Sequence, residues 1–91
     1  MSVQWLFDII QDRKENPIEG SYTSRLLAEG LPKIAQKVGE EATETVVAAL
    51  AQSDQRLIEE VADLAYHTFV LLAARGLTPA DVEAELEKRH K

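Results

Sequence analysis

QKVGEEATETVVAALAQ, residues 36–52, and IEEVADLAYHTFVLLAA, residues 58–74, decide the fold. Both space their apolar residues three and four apart, as an α-helix does, and neither alternates as a strand would. Both also place charge where it is costly. Glu40, Glu41 and Glu44 crowd in just before a run of Val and Ala, and Glu60 and Asp63 stand at the head of a nearly all-apolar helix. Carboxylates stay in water unless a partner compensates their desolvation.

Working outward, LPK at 31–33 opens the first of these helices. Pro32 suits the first helical position, where its missing N–H costs nothing, and the pattern runs from Lys33 to about Gln52. Gly39 inside it costs about 1 kcal/mol relative to Ala, which predicts a close neighbour with no room for a side chain. SDQ at 53–55 breaks the chain and caps a second helix over about 55–75, ended by Gly76. The break is short, so the two long helices are expected as antiparallel neighbours.

Upstream, a helix over 3–15 is capped by Ser2, closed by Pro17, and striped by Trp5, Leu6, Ile9 and Ile10. Trp5 reads as a core or a dimer contact. NPIEGSY, 16–22, is a loop. A short helix over 23–29 follows, with Thr23 able to cap it and Gly30 stopping it. Downstream, Thr78 caps a final helix, with Pro79 at its first position and Asp81 completing a capping box. That helix runs through DVEAELEKRHK with acids early and bases late, as the helix dipole prefers.

No strand pattern of useful length occurs, so the chain reads as an all-α bundle of four to five helices. Its 91 residues give one domain, 1–91. A chain this short has excess apolar surface, which favours pairing with a second copy. With a net charge of −6 and no basic block, nucleic acid and anionic membranes are poor partners. The absence of cysteine excludes disulfides and thiolate metal sites. The longest apolar run, TFVLLAA, is too short to span a bilayer. The first residues show no basic leader or cleavage site, and a cytoplasmic location is expected.

On a helical wheel Ile34, Ala35, Val38, Ala42, Val46 and Ala49 form one broad apolar face. Glu41 falls on its border, with Glu44 further round and Lys37 between them in angle. Along 55–75 the apolar residues go most of the way round, which predicts burial on several sides. Glu60 and Asp63, three apart, share a side with His67. Antiparallel packing would bring two carboxylate pairs face to face. Either these acids are solvated helix faces, or several are protonated, or cations neutralise them. An all-oxygen set suits Mg²⁺ or Mn²⁺ rather than zinc.

GEEATE at 39–44 followed by EVAD at 60–63 resembles the EExxE…ExxD signature of the all-α nucleoside triphosphate pyrophosphatases, the MazG-like group. SYTSRLLAEG at 21–30, LPKIAQKVGEEATE at 31–44, EEVADLAYH at 59–67 and RGLTPADVEAELEKRH at 75–90 narrow the likeness to the phosphoribosyl-ATP pyrophosphohydrolase family. The likeness runs over nearly the whole chain. It implies an all-α dimer that hydrolyses phosphoribosyl-ATP to phosphoribosyl-AMP and pyrophosphate with Mg²⁺, water attacking between the α and β phosphates. It also implies Glu41, Glu44, Glu60 and Asp63 as metal ligands, with Glu40 orienting or deprotonating the water. The family's cyclohydrolase partner domain has no room in this chain, so the standalone form is expected.

Other residues keep two readings. Lys37 meets a substrate phosphate or pairs with Glu41 one turn on, and Lys33, a turn earlier, extends the same row. Ser21, Tyr22 and Thr23 lie at a loop-to-helix junction that binds phosphate or simply caps. His67 supports a metal ligand or is a hydrogen-bonded core histidine. Tyr66 stacks on a base or packs. Two rival functions fit the same residues: a MazG-like pyrophosphatase for other nucleoside triphosphates, and a helical dimerisation module without chemistry.

Overall fold

The computed structural model describes residues 3–90. It contains five helices: α1 Val3–Glu15, α2 Tyr22–Glu29, α3 Leu31–Ala51, α4 Asp54–Ala74 and α5 Pro79–Arg89. No strand occurs among the described residues. The expected cap at Ser2 and the final Lys91 lie outside them.

The helix ends are built from local chemistry. Ser53 starts α4, its hydroxyl accepting from the Arg56 N–H at 3.2 Å. Thr78 and Asp81 make the reciprocal capping box that opens α5. Gly76, at φ +72°, ends α4 in a Schellman motif. There the Gly76 N–H donates to the Ala73 carbonyl at 3.1 Å and the Leu77 N–H to the Leu72 carbonyl at 2.8 Å. Gly30 combines φ +94° with ψ 175°, a conformation open essentially to glycine alone. That one residue ends α2 and turns the chain into α3.

One cap differs from expectation. Ser21, not Thr23, caps α2, its hydroxyl accepting from the Ser24 N–H at 3.2 Å. The helix begins one residue earlier than the pattern predicts, so Thr23 already lies in its first turn and its hydroxyl is turned to another helix.

Residues 52 and 53 join α3 to α4, so the two long helices run antiparallel and make the most extensive contact of the fold. The core lies at one end of this pair. Phe7 and Ile10 of α1, Leu26 of α2, Ile34 of α3, and Val70 and Ala73 of α4 pack there. Lys14 adds a polar tie, donating to the Ala73 carbonyl at 2.8 Å. α5 buries no residue.

The opposite end of the α3–α4 pair departs from the wheel. The buried row of α3 is Ile34, Glu41 and Ala48, spaced by sevens as in a helix–helix seam. Of the expected apolar face, Val38 and Ala42 are half-buried while Ala35, Val46 and Ala49 are exposed. Glu41 therefore lies in the middle of the seam rather than on a border. On α4, Ile58, Val61 and Ala62 are exposed, so the expected burial on several sides holds only for its second half. Trp5 is half exposed and belongs to no core. A Cβ added at Gly39 would meet nothing within 4 Å, so the close neighbour expected there is not found. The physical reason is shared: with apolar residues on more than one side of each helix, one antiparallel partner can cover only one seam.

Candidate active site

The seam between α3 and α4 carries acids where a core would carry leucines. Glu41 from α3 and Glu60 from α4 are 6% and 5% exposed. With the exposed Asp63, one turn along α4, they bring carboxylate oxygens within 4.8 Å of one another. On the two buried acids one oxygen each, Glu41 Oε2 and Glu60 Oε2, is buried without any hydrogen-bond partner among the described residues. A buried acceptor left unpaired costs about 1–3 kcal/mol, more for a charged group. Three converging carboxylates with no thiolate or imidazole among them form a hard, oxygen-only donor set, which fits a divalent cation such as Mg²⁺.

Glu44 stands beside this triad and is exposed. The neighbouring carboxylates of Glu60, first, and Glu41 push its carboxyl up to about 7. Glu40 faces its own helix instead, accepting from Gln36 Nε2 at 3.0 Å and lying 3.3 Å from Lys37 Nζ. The Gln36 amide and the Lys37 ammonium hold its carboxyl below the usual range. Lys37 also reaches Glu41 Oε1 at 3.7 Å. Lys33 forms no salt bridge among the described residues.

A second polar chain runs from α2 to α4. The His67 Nδ1–H donates to the Asp63 carbonyl at 2.8 Å, and its Nε2 shares a hydrogen bond of 3.0 Å with the Tyr22 hydroxyl. Thr23 Oγ1 and the Tyr66 hydroxyl share a hydrogen bond, and burial pushes the Tyr66 phenol upward. Both nitrogens of buried His67 are thus engaged, so the ring holds the start of α2 against the turn of α4 that presents Asp63. Ser21 spends its acceptor on the cap.

The family model described as Phosphoribosyl-ATP pyrophosphohydrolase matches residues 3–90. The chain belongs to this family. It is 57% identical to the phosphoribosyl-ATP pyrophosphatase of Sulfurisphaera tokodaii, over 94% of this chain and 92% of that protein. It is 52% identical to the enzyme of that name from Saccharolobus solfataricus, over 98% and 95%. The Clostridium botulinum protein of that name is 50% identical, over 94% of this chain and 78% of its own length.

A cation at the site lies outside the acidic signature. Arg56 forks across two carboxylates, ion-pairing with Glu59 and with Glu60 Oε1. The pair repeats the Lys37–Glu41 spacing of four residues, which was the only sign of it in the sequence. Arg56 also lines a cavity of about 320 Å³ with Thr43, Glu44, Val47, Gln52 and Glu60. Lys37 thus meets Glu40 and Glu41, while the cavity borders Glu44 and Glu60. No helix among the described residues is long and apolar enough to cross a membrane.

Proposed function

We propose that this chain hydrolyses phosphoribosyl-ATP to phosphoribosyl-AMP and pyrophosphate, the second step of L-histidine biosynthesis, with Mg²⁺ bound and Mn²⁺ able to replace it. The observation that carries the reading is the pair of buried, unpartnered oxygens on Glu41 and Glu60, converging with Asp63 in a chain of this family. Glu41, Glu60 and Asp63 would hold the ion, with Glu44 adding its carboxylate from the open side. When bound, such an ion neutralises phosphate charge and acidifies water.

The chain's own residues do the rest. Glu40, kept ionised by Lys37 and Gln36, orients the attacking water. Its lowered pKa suits it better to accepting a hydrogen bond than to removing a proton. Lys37 meets a phosphate oxygen, and Lys33, one turn earlier, a more distant one. Ser21 caps α2, while Tyr22 and Thr23 present the first N–H groups of that helix to the substrate. Tyr66 and His67 hold that helix end in place through Thr23 and Tyr22.

We read residues 1–91 as a single catalytic domain that works as a cytoplasmic homodimer, with neither nucleic acid nor membrane as a partner. The exposed apolar side chains at the α3–α4 connection, Val46, Val47, Leu50, Ile58 and Val61, favour a second copy as their cover. The test of the reaction is pyrophosphate release from phosphoribosyl-ATP with Mg²⁺, an EDTA control, Glu41→Gln, and free nucleoside triphosphates as competing substrates. Metal-dependent release that is lost in the variant supports the assignment. Preference for a free triphosphate would redirect it to another MazG-like substrate, and no turnover of any substrate by folded protein would leave the dimerisation module.

A further inference from the structure

The two buried acids carry matching counterions. Lys37 stands four residues before Glu41 and Arg56 four before Glu60. Each cation faces Oε1 of its carboxylate and leaves Oε2 bare. The two differ in freedom. The Lys37 side chain is 25% exposed, whereas that of Arg56 is 47% exposed and borders the cavity of about 320 Å³. Arg56 also has a second anchor, because its fork is shared with Glu59, whose side chain is half exposed.

A guanidinium on Glu60 Oε1 and a divalent ion on the Glu41–Glu60–Asp63 triad draw on the same carboxylate and repel each other at short range. We propose that Arg56 competes with the divalent cation for Glu60. It yields Glu60 and rests on Glu59 when a cation binds, and so raises the cation concentration the site requires. This rests on the reading of the triad as a cation site. Arg56 acts through Glu60 and is a positioning residue.

The test is isothermal titration of the purified full chain with Mn²⁺, without nucleotide, for the parent, Arg56→Gln, Arg56→Lys and Arg89→Gln. Arg89 makes the same four-residue ion pair with Glu85 on α5, so its loss changes net charge equally away from the triad. Arg56→Gln is expected to bind Mn²⁺ about three- to tenfold more tightly, the range of a partly exposed pair to a buried carboxylate. Arg56→Lys keeps the charge without the fork and should tighten binding less, with the same sign; it carries the test if the glutamine variant does not fold. Arg89→Gln should stay within about twofold of the parent, as screening of a distant charge requires. Unchanged or weaker binding by both Arg56 variants would overturn the proposal, as would equal tightening by Arg89→Gln. A parent that binds no Mn²⁺ would remove the cation site itself, a failure distinct from the others.

Discussion

Replacing Glu41 by Gln should stabilise the protein in the absence of a divalent ion while destroying its activity. Glu41 is 6% exposed, and its Oε2, like Glu60 Oε2 across the seam, has no hydrogen-bond partner among the described residues. An amide of the same shape removes one buried negative charge from the triad and offers N–H donors to the bare Glu60 oxygen. The gain is about 1–3 kcal/mol, the usual cost of a buried polar atom left unpaired. Against it stands the ion pair with Lys37, long at 3.7 Å and on a cation 25% exposed. That contact contributes about 0.5 kcal/mol. The net is a stabilisation of about 1 kcal/mol, or a rise in Tm of about 4–8 °C for a domain of this size.

Thermal melts in EDTA and in saturating Mg²⁺ provide the assay. In EDTA the variant should melt above the parent. In Mg²⁺ the order should reverse, because a ligand at a hundred times its Kd stabilises the native state by about 2.7 kcal/mol and the variant has lost one of the four proposed anionic ligands. Pyrophosphate release should fall at least about a hundredfold. A variant that melts below the parent in EDTA would refute the reasoning, since Glu41 would then be a satisfied structural residue and the triad no site for a cation.

Four further outcomes follow from the geometry. Cation affinity should rise with pH through about 7, because the Glu44 carboxyl, raised to that value by Glu60 and Glu41, must lose its proton to join the set. The linked stability has the opposite sense: a raised acid stabilises the fold fully below its unfolded value near 4.5 and loses that contribution as pH climbs through 7, so melts in EDTA should decline over this window. Tyr22→Phe removes the 3.0 Å bond to His67 and should cost about 1 kcal/mol in denaturant titration, with KM rising more than kcat falls because α2 is held less firmly. Leu50→Lys, at a side chain 83% exposed, should leave the fold of the chain intact yet shift it to monomer in sedimentation, whereas an unchanged dimer would place the interface elsewhere.

What the sequence could announce here was what is local. The cap at Ser53, the capping box of Thr78 and Asp81 and the stop at Gly76 each depend on a few adjacent residues, and each forms as the pattern predicts. Ser21 and Thr23 show the limit of that logic. Either hydroxyl can cap a helix, and the choice turns on Thr23 meeting Tyr66, a contact 43 residues away. The seam was hidden for a related reason. A wheel ranks residues by hydropathy, and α3 has Val or Ala on more than one side, so nothing in its composition says that Ile34, Glu41 and Ala48 form the buried row. A glutamate in that row opposes packing and is retained where packing is not its purpose. The same holds for Arg56, whose spacing from Glu60 is visible in the sequence but resembles any surface pair worth a few tenths of a kcal/mol. It gains meaning only because Glu60 is buried, with one oxygen held by the guanidinium and the other without a partner among the described residues.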